Sequence, residues 1–264
     1  MLLFLTVIFL FASVLFAMLG LGGGVLYTPL QLYVLNLPVQ KAVANSLFII
    51  MFASASAVSV YTKNRRIDYA LGLILEVSTA LGAFTAGYLS AYVPESVIVF
   101  ILGVVLLFVS YLMIRGWTPQ KREVRHWKVL SLKRHFNGRD YEVPMLMAVP
   151  LTFLAGSVSG LCGIAGGTIK VPLMVLLLDI PMDIAVATSS FMIGITSFFG
   201  LMGHVAHGHL QWKIAVPLAL SVIIGGNIGA RIAVRTSTRR LKQVFGWFLL
   251  IVSLSMFWRA FNVR

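Results

Sequence analysis

Two glycine-rich segments, GLGGGVLYTPL from Gly20 and GIAGGTIKVPL from Gly163, hold the residue types best suited to gripping a small anion. Glycine allows a ligand to approach the backbone closely. A helix that begins after such a run points unpaired N–H groups and the positive end of its dipole at whatever sits there. In each segment the glycines precede a short apolar stretch, 25–35 and 168–178, which at 1.5 Å per residue spans only about half a membrane. Gly22, Gly23 and Gly24 in the first segment and Gly166, Gly167 and Thr168 in the second are therefore the expected substrate-binding backbone. The competing employment for such glycines is close helix packing.

Side chains near these segments extend the same chemistry. Asn45 and Ser46 follow the first half-helix, and Thr188 and Ser189 follow the second. They are neutral donors suited to reversible binding of anion oxygens, or else helix caps and interhelical hydrogen bonders. Lys170 is the single cation beside a glycine motif, where the first segment has Tyr27. It would neutralise a bound anion, or snorkel to an interface. Glu76 is the only carboxylate well inside an expected span and is the candidate for a coupling proton, the alternative being a link to water or to a basic residue.

Other chemistries find no residues. His204, His207 and His209 have the spacing of metal ligands but no accompanying carboxylate or cysteine cluster, so they read as loop histidines. The lone Cys162 cannot make an intramolecular disulfide. The chain shows no nucleophile, base and orienter set, no Walker loop and no HExxH helix. Neither an enzyme, nor a metal, nor a cofactor is expected.

The elements that must position these residues belong in lipid. The chain has 264 residues, 59% hydrophobic and only 11% charged, outside the balance of soluble domains. A membrane crossing needs about 20 apolar residues, and six stretches qualify: 42–62, 69–92, 97–114, 185–204, 212–233 and 241–258. Residues 2–35 and 144–178 are too long for one crossing, and both are interrupted by glycines. The opening MLLFLTVIFLFASVLFAM lacks a basic n-region and a small-residue cleavage site, so it reads as part of the fold and not as a removed signal. The net charge of +13 would suggest nucleic acid in a soluble chain, but its Lys and Arg sit in short loops, a pattern that orients a membrane protein. Residues 116–143 form a basic linker with room for a short amphipathic helix.

The two glycine segments belong to an internal duplication, offset by 143 positions without a gap. Pro29 falls on Pro172, Pro38 on Pro181, AVANS from Ala42 on AVATS from Ala185, Gly82 on Gly225, Gly103 on Gly246 and Ser110 on Ser253. Chance similarity of apolar helices would match Leu and Val, not Gly, Pro and Ser in one register. The charge bias of equivalent loops is opposite. KNRR from Lys63 is basic and its equivalent, His204 to His209, is not; VPES from Val93 is acidic and its equivalent, RTSTRRLK from Arg235, is basic. Basic loops stay inside, so the halves are expected to face opposite ways, each a glycine-broken, re-entrant-like hairpin plus three transmembrane helices. The expected fold is an all-α integral membrane protein of two inverted-topology repeats, 1–115 and 144–264, joined by the linker. A parallel arrangement with four crossings per half would place RTSTRRLK outside.

These paired segments, each followed by a Pro-containing loop and an A-V-A-[NT]-S helix start, resemble the TauE/SafE sulfite exporter family, over nearly the whole chain. The resemblance implies a multi-pass permease of the prokaryotic cytoplasmic membrane, a secondary transporter, usually an exporter, for sulfite, organosulfonates or related sulfur anions. Its partners would be that small anionic substrate, the lipid bilayer and a coupling proton, with no nucleic acid. The motif positions carried over are Gly22, Gly23, Gly24, Asn45, Ser46, Gly166, Gly167, Thr188 and Ser189. Lys170 is a feature of this sequence. A passive anion channel and a non-transporting membrane scaffold remain as alternatives.

Overall fold

The computed structural model describes residues 2–19, 24–115, 130–164, 166–178, 180–235 and 239–262. Gly22 and Gly23 lie outside the described residues. The first half contains α1 (Leu2–Leu19), α2 (Gly24–Val34), α3 (Val39–Lys63), α4 (Tyr69–Leu89) and α5 (Glu95–Ile114). The second contains α6 (Met145–Cys162), α7 (Gly167–Leu176), α8 (Met182–Val205), α9 (Trp212–Arg235) and α10 (Arg239–Asn262). Among the described residues, six helices are long and apolar enough to cross a membrane: α3, α4, α5, α6, α8 and α9. The chain is an all-α membrane protein, and both long apolar stretches resolve into a longer helix followed by a short one.

Local chemistry sets the helix starts. Pro38, Pro94, Pro144 and Pro181 occupy the N-cap positions of α3, α5, α6 and α8, where the fixed φ of proline costs nothing. The α4 start is capped by Asp68, whose carboxylate accepts from Leu71 N–H at 3.1 Å. Gly163 ends α6 and Gly166 precedes α7, both with left-handed φ near 70°, which turns the chain back on itself within a few residues.

Helix directions follow from which residues meet. Ser54 Oγ donates to Ser190 O, and Gly200 lies against Leu47, so α3 and α8 run antiparallel. Asp68 meets Thr188 and Glu76 meets Thr196, so α4 runs parallel to α8. Asn45 meets Gln211 and Ser56 meets Ile223, which makes α3 parallel to α9. Ser110 Oγ donates to Gly246 O and Ser253 Oγ to Gly103 O, both at 2.8 Å, across antiparallel α5 and α10. These two bonds interchange when each residue is replaced by its equivalent 143 positions away. One pair of close backbone approaches behaves likewise: Gly82 faces Phe153 O, and Gly225 faces Leu10 O.

The ends of the molecule differ in charge. One end gathers the turn after α3, containing Arg65 and Arg66, with the linker. The described part of the linker is a β-hairpin, β1 (Ser131–Phe136) antiparallel to β2 (Arg139–Pro144), with Phe136 opposite Arg139. Residues 116–129 lie outside the described residues. Asn137 and Gly138 both have positive φ, 50° and 70°, which is the two-residue turn that an Asn-Gly pair favours between strands. The opposite end gathers Tyr88, Tyr92 and His207, whose rings pack together, with Glu95.

Candidate functional site

Three side chains from three helices converge, one from the first half and two from the second. Lys170, in the first turn of α7, donates from Nζ to Glu76 Oε2 on α4 at 3.0 Å, and to Thr196 Oγ1 on α8. Thr196 Oγ1 also lies within hydrogen-bond reach of Glu76 Oε1 and of Met192 O, the latter at 3.0 Å. All three side chains are buried. An unpaired charge is very costly in such surroundings, and each of these charges has the other as its partner. Lys170 therefore does not snorkel: its ammonium is buried and held between α4 and α8.

The glycine turn completes the centre. A Cβ placed on Gly166 would lie 3.3 Å from Lys170 Cε and 3.4 Å from Ser159 Oγ. Gly166 O accepts from the N–H of Ile169 and Lys170, at 3.0 and 2.6 Å, leaving the N–H groups of the first α7 residues without intrahelical acceptors. Two hydroxyls next to this turn, Ser159 Oγ and Thr168 Oγ1, are buried with no hydrogen-bond partner among the described residues. Buried hydroxyls are ordinarily bonded, so a spare donor-acceptor pair at a helix N-terminus beside an ammonium is suited to an oxyanion. Glu76 also borders a groove of about 610 Å³ whose other walls are apolar side chains of α4 and α8, among them the exposed Leu73, Val77, Phe84 and Phe198.

The equivalent set of positions, 143 residues away, lacks the charges. Tyr27 replaces Lys170, Ala219 stands where Glu76 has its equivalent, and Ala53 where Thr196 does. Tyr27 stacks on Phe9 with ring centroids 4.6 Å apart, beside a water-sized cavity of about 20 Å³ bordered by Ser13, Ser54 and Ser190.

The remaining expected residues lie elsewhere. Asn45 Oδ1 accepts from Gln211 N–H at 2.9 Å, just before α9, and Thr188 Oγ1 accepts from Asp68 N–H at 3.0 Å, just before α4. These bonds are equivalent in the two halves, and each ties a helix entrance to its neighbour. Thr188 is eight residues from Thr196, about 12 Å along α8. Ser46 Oγ accepts from Gln31 Nε2 at 2.9 Å, and Ser189 Oγ is buried without a partner. The structure thus brings together Glu76, Gly166, Gly167, Thr168 and Lys170, and keeps Asn45, Ser46, Thr188 and Ser189 apart from them. Gly24 opens α2.

Sequence reasoning missed Ser159 and Thr196. Thr196 follows Ser189 by seven residues, two helical turns, and so shares its face. Ser159 carries no comparable signal, since hydroxyls in apolar helices usually serve packing.

At the opposite end His204 Nε2 lies 2.9 Å from Gly160 O, and its Nδ1 lies 3.2 Å from both Ser90 Oγ and His209 Nδ1. No group of three or more His, Cys, Asp or Glu among the described residues is placed to hold a metal ion.

The described residues form a bundle of membrane-spanning helices around a buried ionic centre, with the short helices α2 and α7 each following a longer one, the architecture of a multi-pass membrane protein. The chain belongs to the family described as "Sulfite exporter TauE/SafE", which matches residues 5–256. It is 26% identical over 265 residues to "Probable membrane transporter protein YunE" of Bacillus subtilis (strain 168), covering 97% of both chains. A "Probable membrane transporter protein" of Xylella fastidiosa (strain Temecula1) is 27% identical over 253 residues, covering 92% of this chain and 90% of that one. No solved structure matches. The protein is a transporter of the prokaryotic cell membrane and not an enzyme.

Proposed function

We propose that this transporter carries small sulfur-containing anions, such as sulfite or organosulfonates, outward by alternating access between two inverted-topology repeats. The family name supports the substrate class. Opposed directions of α3 and α8, and of α5 and α10, support the inverted arrangement, in which broken helices meet substrate near the midplane. The observation that carries the anion site is the fully buried ammonium of Lys170 in the first turn of α7, with the buried, unpartnered hydroxyls of Ser159 and Thr168 near the Gly166 turn that opens this helix. Gly22, Gly23, Gly24, Asn45, Ser46, Thr188 and Ser189 would line the paths that lead to this centre from the two ends.

Thermal stabilisation of the purified protein by sulfite, thiosulfate, sulfoacetate, taurine, sulfate and chloride tests the reading, because a ligand of the native state raises its melting point. A rise selective for one sulfur anion, abolished by Gly166→Val, is the expected result. A flat response from a folded protein across the whole panel would sink it.

A further inference from the structure

We propose that the transported anion and the Glu76 carboxylate compete for one ammonium, Lys170, so that each anion is carried together with one proton bound on Glu76. The inference rests on the anion-transport reading above and gives that site its coupling.

In the structure Lys170 is already neutralised: Nζ donates to Glu76 Oε2 at 3.0 Å and to Thr196 Oγ1. A second anion brought to the same buried ammonium would face the Glu76 charge at close range, with no water to screen it. The site accommodates the anion when a proton from the open aqueous side adds to a Glu76 oxygen. The carboxyl group then turns neutral, and the ammonium exchanges a carboxylate for the substrate as its counter-ion. For a singly charged anion such as hydrogen sulfite, net charge in the centre is zero before and after, which is the condition for crossing the low-dielectric middle of the membrane; a dianion such as thiosulfate leaves the centre one charge negative and its transport electrogenic. Release on the far side reverses both steps: the anion leaves, and Glu76 returns its proton to water and re-forms the pair.

The surroundings fit this exchange. Thr196 has one hydroxyl hydrogen and two acceptors in reach, Glu76 Oε1 and Met192 O. It can serve the carboxylate when Glu76 is charged and turn to the backbone when Glu76 is neutral. Two of the three ammonium hydrogens are engaged, and the incoming anion finds Ser159 Oγ, Thr168 Oγ1 and the first α7 N–H groups. Among the described residues no other charge faces Glu76. On the packed elements, α6 offers only Cys162, α7 only Lys170, and α8 only Asp183 and His204, at its two ends. The positions 143 residues away hold Tyr27, Ala53 and Ala219, so the described residues hold one such exchange centre, and one proton accompanies one anion. Export then proceeds only when the inside excess of anion outweighs the proton gradient, about tenfold for each pH unit of inside alkalinity.

The test uses the full chain and sulfite, thiosulfate and sulfoacetate as probes, in proteoliposomes with an entrapped pH dye and in parallel melting experiments. Wild type is expected to move protons with the transported anion in a 1:1 ratio. Glu76→Gln leaves Lys170 without its counter-ion. It is expected to melt lower without anion, to gain a larger anion-dependent rise than wild type, and to carry anion with no proton movement. The Glu76→Gln, Lys170→Met double variant, with neither charge, is expected to melt near wild type and to show no anion-dependent rise. Anion transport without proton movement in wild type, or an anion response unchanged by Glu76→Gln, would overturn the coupling and leave the transport reading standing. The absence of any anion response in wild type and Glu76→Gln alike would overturn both.

Discussion

A buried lysine in a membrane helix must answer for its charge, and Lys170 does so through Glu76, 94 positions earlier in the chain. Each was visible in the sequence as an intramembrane charge, but nothing in the sequence paired them. A structural consequence follows that is separate from transport. Removing one partner of a buried ion pair strands the other and costs about 3–5 kcal/mol, whereas replacing both with apolar residues is often neutral. Lys170→Met alone is therefore expected to lower unfolding stability in detergent by that amount. Lys170→Met combined with Glu76→Leu is expected to recover most of it. Equal losses in the single and double variants would mean that the pair is not what stabilises this region. Ser159 and Thr196 were illegible for the same reason: a hydroxyl in an apolar helix reveals its role only when its neighbours are known.

At the scale of elements, the hairpin and the helix crossings decide how the halves are held. Asp68 is the hub: Arg134 donates to it from Nη2 at 2.7 Å and Nε at 3.1 Å, and Tyr141 Oη donates at 2.6 Å. Burial opposes ionisation of Asp68, but these bonds, the Leu71 N–H and the Arg134 charge outweigh it and hold its carboxyl below the usual carboxylate range. A lowered folded value stabilises docking fully above the unfolded value, about 3.9, and the contribution is lost as pH falls through the folded value. A fluorophore on Lys133→Cys, an exposed site on β1, is thus expected to become more mobile only in strong acid. With Asp68→Asn added, the same mobility is expected at neutral pH, with a loss of about 2 kcal/mol for bonds to a charged group. Anisotropy that ignores both changes would show that other contacts dock the hairpin. The hairpin itself was legible, since Asn137-Gly138 between alternating strands is a turn signal; the basic composition of the linker concealed it. The contact of α6 with α4 depends on glycine. A Cβ on Gly160 would collide with the Ala83 carbonyl, and with a rigid backbone as the obstacle, Gly160→Ala is expected to cost about 1–3 kcal/mol, read as a lower melting temperature.

At the scale of the whole molecule, the prediction concerns sidedness. Cysteines placed at Ser96 and Thr238, in equivalent loops of the two halves, are expected to react with impermeant reagent from opposite sides of the membrane. Cys162 is buried and should stay silent in the background. Labelling of both from one side would replace the inverted arrangement by the parallel one.

The sequence by itself determined the membrane class, the long spans, the glycine breaks and the duplication, because each depends on local composition or on one register of 143 positions. It also showed the charge bias of the loops. Only the tertiary structure decided that Lys170 and Glu76 neutralise each other, that Asn45 and Thr188 fasten helix entrances, and that Asp68 anchors the linker. Those outcomes depend on residues brought together from distant helices. The lipid-facing constraint that writes the spans into the sequence is satisfied one helix at a time, whereas a buried charge is satisfied only by whatever the neighbouring helices bring to it.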